Sequence, residues 1–528
     1  MRITHHSILF CLILLGSSLQ ALPVELDPTF DGDGIAVFSP GTIHDVARDI
    51  VVLPDTTTII CGTAQLNGAT AGIIMRILED GTQDMSFATG GLAELQYGTN
   101  TYAYNLELLP DGKLLVSGIC YTTASDAEFF VARFLTDGTP DTSFGTGGHA
   151  LTDYSATEDL CYAMGLQSDG KIVLAGRTND VPFSALLFTR FNADGTLDTS
   201  FGTDGYTMID ASTQDESINT LGFLDDGTIV GFGNGYQSTP YFGHLVCMAK
   251  LDSAGIPVSG FGTGGVRVPP VFNDISTVYD LQVENDTLFV TGTMYDTVND
   301  DVIFVAKMDS DGDTIVSFGT GGITFTKPNP DDHIHVGYDL LLDEGNIYVC
   351  GTTGYAPMFN PRDFILLRYT PAGILDPEFN TTGYIITSIG PLFDEANALV
   401  IQPDGKVVLA GFAQMGADND LILARYLIDM TSIGEHFSAP GELYLQHIAP
   451  NPFGSSVTIT FSIQFPESVT LEIFDVSGRL IETLVDEDRT AGTHAVVFYG
   501  EEFSSGIYFC RLQVGDEHIQ TEMMTLLR

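Results

Sequence analysis

The sequence predicts an all-β chain: a seven-bladed β-propeller followed by a small immunoglobulin-like β-sandwich. Three observations carry that prediction. Phe-Gly-Thr-Gly-Gly starts at Phe144, Phe261 and Phe318, with Phe201-Gly-Thr-Asp-Gly205 between them and looser copies from Phe30, Phe87 and Phe379. Successive phenylalanines lie 57, 57, 57, 60, 57 and 61 residues apart, a period that marks a repeat architecture. Each unit holds four short extended runs separated by glycine turns, without helical periodicity. Beyond Leu427 the period stops, and a second set of short strands begins.

Met1 to Ala21 has the form of a secretory signal: Arg2, an apolar core from Ile8 to Leu15, and a small-residue cleavage site at Leu19-Gln20-Ala21. Cys11 lies inside the apolar core rather than after it, which argues against a lipid anchor. The expected divisions are signal 1–21, propeller 22–428, linker 429–442 and tail 443–528.

Within the unit from Phe87 to Phe144, Gly91 to Tyr97 is one extended piece. Ala103 to Leu109 alternates and turns at Pro110-Asp111-Gly112. Lys113 to Gly118 runs on and ends at a glycine, and Glu128 to Leu135 closes at Thr136-Asp137-Gly138. The terminating glycine returns at Gly62, Gly176, Gly233, Gly292, Gly351 and Gly411. Units four and five depart most, through Gly231 and through Thr287 in place of the turn glycine. The run ending in Pro-Asp-Gly is the natural innermost strand, and the piece after each Phe-Gly-Thr-Gly-Gly is the outer strand of the preceding blade. The seventh blade then lacks an outer strand. Ile35 to Phe38 is the spare piece, and pairing it beside Leu421 to Leu427 removes two exposed edges.

Pro403-Asp-Gly-Lys-Val-Val-Leu-Ala-Gly411, Ala424-Arg-Tyr426 and Asp141-Thr-Ser-Phe-Gly-Thr-Gly-Gly148 resemble the delta-60 repeat β-propeller family, from about Leu26 to Leu427. That family implies the fold and no established activity. In the tail, strands are expected at Val457 to Ile463, Val469 to Phe474, Leu480 to Val485, His494 to Phe498, Ile507 to Leu512 and Ile519 to Leu526. Ala449-Pro-Asn-Pro-Phe453, Phe474-Asp-Val-Ser-Gly-Arg479 and Ser505-Gly-Ile-Tyr-Phe509 resemble the type A sorting domain of the type IX secretion system. The resemblance implies the secretion machinery as a partner. It also implies a destination outside a Gram-negative cell, with the tail removed and the protein released or held at the surface.

Twenty Lys and Arg against 69 Asp and Glu give a formal charge of −49. Such a surface repels phosphate backbones and anionic lipid, so nucleic acid is not an expected partner. No later apolar run is long enough to span a bilayer, and a soluble monomer is expected. Cys61, Cys120, Cys161, Cys247, Cys350 and Cys510 remain after the signal. Because Cys61 and Cys350 occupy the same place in different units, free buried thiols are expected rather than disulfides.

No nucleophile elbow, zinc-protease motif or phosphate loop is present, and no cofactor is expected. The predicted role is a non-enzymatic binding or scaffold module with an extracellular glycan or protein as its ligand. The alternative is a carbohydrate-active enzyme, a polysaccharide lyase or hydrolase, on the same fold. One column of the inner strands carries Asp49, Asn105, Ala163, Thr220, Asp280, Asp339 and Ala398. Asp49, Asn105, Asp280 and Asp339 are candidate binding residues at a channel mouth, or hydrogen-bonding groups between blades. Asp331-Asp-His333-Ile-His335 sets His333 and His335 on one side of a strand as candidate metal ligands.

Overall fold

The structure is a computed structural model. It describes residues 24–181, 183–210, 215–237, 243–272, 276–295, 301–329, 332–354, 361–428, 444–449, 453, 456–463, 467–475, 479–489, 492–500, 503, 506–514 and 518–526. The signal segment and the linker read from the sequence lie outside these residues. The chain forms two compact units, Met1–Met430 and Thr431–Arg528.

The first unit contains seven antiparallel sheets, six of them an up-and-down run of four strands in chain order. The first strands of the seven are Val46–Val52, Asn100–Leu108, Asp159–Leu166, Glu216–Phe223, Ser276–Glu284, Ile334–Asp343 and Asp394–Ile401. These seven strands surround one channel. The seventh sheet takes its outer strand from the front of the chain: Ile35 pairs with Ala424, and Phe38 with Leu421. Glu25–Leu26 adds a second short pairing on the same strand, Asn419–Leu427. The edge that the sequence order leaves open is thus covered from the N-terminal side.

Why Phe-Gly-Thr-Gly-Gly recurs is visible in the packing between sheets. Arg133 on the third strand of the second sheet bonds Asp141 through Nε at 2.8 Å and lies 4.7 Å above the Phe144 ring. Its Nη1 donates to the Ala193 carbonyl of the next sheet at 2.7 Å. The Phe144 ring in turn packs on Gly195 of that next sheet, where any side chain would strike it. Arg76 with Asp84 and Phe87, and Arg190 with Asp198 and Phe201, repeat the arrangement. In the last sheet Arg425 bonds Asp27, covers Phe30 and donates to the Glu79 carbonyl, so the same device closes the ring. The motif therefore encodes a joint between sheets: an aromatic wedge, a glycine to receive it, and a guanidinium that ties both together.

One expectation about strand length is corrected. The second strand does not end at its glycine: Leu114–Thr123 runs through Gly118, and Thr58–Leu66 through Gly62. In the fifth sheet the place of the turn glycine is filled by Asn285 and Asp286, both at positive φ, which make a two-residue hairpin before Thr287.

All six described cysteines are buried and unbridged. The second unit holds two sheets, one of three strands and one of four. The strands expected from sequence are all present, from Ser456–Ile463 to His518–Leu526. Its core gathers Phe453, Phe461, Leu471, Ile473, Phe498, Cys510 and Leu526 among others. Within the Pro-Asn-Pro-Phe motif, Phe453 is buried and its N–H donates to the Thr525 carbonyl, so this motif is tied to the last strand of its own unit.

Candidate functional site

Every first strand carries a β-bulge at the same place. The pairing register shifts between Ala47 and Asp49, Ala103 and Asn105, Cys161 and Ala163, Ile218 and Thr220, Val278 and Asp280, Gly337 and Asp339, and Ala396 and Ala398. The residues skipped are Arg48, Tyr104, Tyr162, Asn219, Tyr279, Tyr338 and Asn397. The recurring glycine of the second strand stands opposite each bulge, where a Cβ would overlap a backbone carbonyl of the first strand, as Gly118 would with Tyr102. That glycine is a requirement of the bulge, which is why it falls inside the strand.

In a regular strand neighbouring side chains face opposite ways, and a bulge suspends that alternation. Here it turns two consecutive columns into one cavity of about 810 Å³. The cavity is lined by the seven bulge residues and by the column that follows them, Asp49, Asn105, Ala163, Thr220, Asp280, Asp339 and Ala398. The four candidate binding residues therefore do meet around one axis.

The aspartates of that column are tied into the frame. Asp49 accepts from its neighbour Ile50 N–H at 2.8 Å and from Leu106 N–H of the next sheet at 2.7 Å. Asp339 does the same with Leu340 at 2.8 Å and Leu399 at 2.7 Å. Asp280 accepts from Leu340 N–H at 3.2 Å. Asn105 instead donates to Ser117 within its own sheet at 3.1 Å. Desolvation, opposed by the backbone donors, pushes the Asp49 carboxyl up to about 7. Burial also raises Asp280 and Asp339, which share a hydrogen bond, one acid holding the proton against its neighbour. These shifts all lower the negative charge that the channel carries.

The bulge residues sit differently. Asn219 and Asn397 donate across to the next strand, to Val278 and Ala47 carbonyls at 3.0 and 2.8 Å. The tyrosines line the channel in pairs. Tyr104 meets Tyr162 edge-on with centroids 6.2 Å apart, and Tyr279 meets Tyr338 at 5.0 Å. Arg48 is exposed, 5.7 Å from the Tyr104 ring. The side with the bulges is also the side where loop length varies. Connections from second to third strand run from two residues at 67–68 to seven at 355–361, whereas those at the opposite end hold five residues in five sheets and two in the other two.

His333 and His335 are not part of this cavity. His335 is fully buried, with Nδ1 2.7 Å from the Thr353 hydroxyl. Among the described residues no three His, Cys, Asp or Glu side chains gather to hold a metal; Asp331 lies outside those residues. The tyrosine column was missed in sequence because strict alternation assigns it to the face opposite Asp49. Its signal was a column with tyrosine in four of seven units, one residue before the aspartates.

Residues 53–87, 109–144 and 167–201 match the model of a domain of unknown function, the DUF5122 β-propeller, and residues 447–525 match the secretion system C-terminal sorting domain. The chain carries DUF5122 β-propeller repeats and a type IX sorting domain. It is accordingly a secreted, cell-surface protein that engages the type IX secretion machinery. No helix among the described residues is long and apolar enough to cross a membrane. No curated protein matches the chain. Solved structures similar in fold include the polysaccharide lyase Uly1, at 12% identity over 74% of this chain and 90% of that one, TM-score 0.40. A fungal alcohol oxidase of the AA5 family, in complex with copper, matches at 11% identity over 94% and 98%, TM-score 0.42. PorZ, a surface component of the type IX system of Porphyromonas gingivalis, matches at 12% identity over 89% and 68%, TM-score 0.31.

Proposed function

We propose that the propeller is a non-enzymatic binding module of the cell surface, taking its ligand at the bulge-side mouth of the channel. The observation that carries this reading is the bulge column itself. Seven strands depart from regular pairing at one level and, in doing so, present four tyrosine rings to a cavity of about 810 Å³. That volume lies within the range of small-ligand sites, and tyrosine offers both an apolar face and a hydroxyl. The acids of the channel support binding over turnover. In Asp49 and in Asp339 one oxygen accepts from the next N–H of its own strand and the other from a backbone N–H of the adjacent sheet. Acid–base work on a substrate asks instead for a carboxyl free to exchange its proton with that substrate.

The mature protein, applied to an array of glycans and surface proteins, is expected to retain a ligand that the Tyr104→Ala, Tyr279→Ala double variant does not. Conversion of any retained glycan to shorter or unsaturated products during incubation would overturn the non-enzymatic reading and favour a lyase or hydrolase.

A further inference from the structure

In a chain with 20 cations and 69 acids, a cation without an acidic partner is out of the ordinary. The belt arginines are all paired: Arg76, Arg133, Arg190, Arg368 and Arg425 each lie within 2.6–2.8 Å of an aspartate oxygen. Lys113, Lys171, Lys250, Arg267, Arg362 and Lys406 are paired as well. Lys307 lies over the Phe289 ring. Among the described residues, Arg48 and Arg177 make no ion pair. Arg48 stands on a first strand at the bulge-side mouth, and Arg177 stands on the second strand of the third sheet, next to Tyr162 and outside the cavity lining. Arg48 lines the cavity beside Tyr104, with its guanidinium 5.7 Å from that ring, and Arg177 lies close to the Tyr162 hydroxyl. Across the mouth the opposite holds: Glu395 is neutralised by Arg362 at 2.9 Å and takes the Tyr338 hydroxyl at 3.3 Å.

From this arrangement, and resting on the reading of the mouth as a binding site, we infer that the ligand is a saccharide unit carrying an anionic group, a carboxylate or a sulfate. The anion lies on Arg48, with Arg177 adding positive charge behind Tyr162, and the sugar ring lies against Tyr104 and Tyr162. The Arg48 guanidinium has no acidic partner, and an oxyanion takes its donors with charge-assisted hydrogen bonds. The adjacent rings offer the flat apolar surface that the C–H face of a sugar covers. The enclosed mouth suits a short or terminal unit. A long polyanion would meet the field of a protein of net charge −49 along its whole length. Burial raises the carboxyls behind the site, which weakens that field where the anion sits.

The test uses the mature full-length protein and its tyrosine fluorescence, which no tryptophan obscures. The probes are a galacturonate trisaccharide, a sulfated galactose trisaccharide, the carboxyl-reduced neutral trisaccharide, and hexaglutamate. Either or both anionic sugars are expected to bind at least about tenfold more tightly than the neutral one, the scale of one charge-assisted hydrogen bond. Arg48→Gln is expected to remove most of that preference, Arg177→Gln and Arg48→Lys less, with urea midpoints unchanged for the exposed Arg48 substitutions. Which anionic sugar binds decides between carboxylate and sulfate. Equal binding of neutral and anionic sugars, an unchanged preference in Arg48→Gln, or hexaglutamate binding as well as the sugars would overturn the inference while leaving a binding site at the mouth. No retention of any glycan or protein on the array would remove the binding reading itself, and this inference with it.

Discussion

Asp141 in the outer belt and Asp49 at the channel both belong to columns that the repeats reuse, and both are hydrogen-bonded into the joint between sheets. Their ionisation goes opposite ways. The Ser143 hydroxyl, then Lys113 and Arg133 acting against the cost of burial, hold Asp141 far below the usual carboxylate range. Asp49 has only backbone donors, with Glu107 and Asp280 as charged neighbours, and desolvation carries it up to about 7. The belt commits its cations to cohesion. The channel closes the same ring with backbone N–H donors and leaves Arg48 at its mouth without an ion pair. An acidic side chain in a repeat thus has no fixed role, and what decides it is the charge placed beside it.

The largest effect that can separate the two regions comes from arginine substitutions. Arg425→Ala strips a fully buried guanidinium from Asp27, itself buried. It should cost about 3–5 kcal/mol in chemical denaturation, because buried Asp27 keeps only the more distant Lys406 as a charge partner and the contacts to Phe30 and Glu79 are lost. Arg48→Ala, exposed and free of ion pairs, should stay within about 0.5 kcal/mol. Similar losses in both would erase the distinction between structural and uncommitted cations.

Glycine substitutions give the next largest contrast. At Gly351, opposite the bulge of the sixth sheet, a Cβ would overlap the Val336 carbonyl. Gly351→Ala should destabilise by about 3 kcal/mol and weaken ligand retention, since the bulge that aims Tyr338 is distorted. Gly416, with open space around it, should accept alanine within about 0.5 kcal/mol. Loss of stability at Gly351 without loss of retention would detach the bulges from binding.

Much of this fold is legible in the sequence because the joints are local. Phe144, its glycines and Arg133 come from one short stretch, so their spacing survives from unit to unit. The closing strand could be assigned by elimination, since Ile35 to Phe38 was the piece without a blade. The mouth was harder to read. A bulge inserts one residue and defeats the alternation rule, so the columns of Tyr104 and Asn105 fall on opposite faces until the pairing is known. The status of Arg48 was not legible at all. In sequence it resembles Arg76 or Arg133, and only the absence of an ion-pair partner in space distinguishes it. For His335 the strand pattern could place it beside His333, but not show its burial or its contact with Thr353.

The most direct test is the urea midpoint between about pH 3 and 8 at constant ionic strength, for wild type and for the Asp49→Asn, Asp280→Asn, Asp339→Asn variant. A carboxyl whose folded pKa is raised binds its proton more tightly in the native state. Its contribution is therefore present at low pH and is lost as pH rises from the unfolded value near 4 through the folded one at about 7. Belt carboxylates such as Asp141 do the reverse, and lose theirs as pH falls below about 4. Wild type should show both limbs, with a fall on the order of 2 kcal/mol between about pH 4 and pH 7, allowing for the solvent that reaches the channel. The triple variant should keep the acid limb and show a clearly smaller upper one, the remainder coming from other buried carboxyls with raised pKa, such as Glu107 and Asp159. An upper limb unchanged in the variant would contradict the account, because the channel aspartates would then be ionised like any others and the division between belt and channel would not exist.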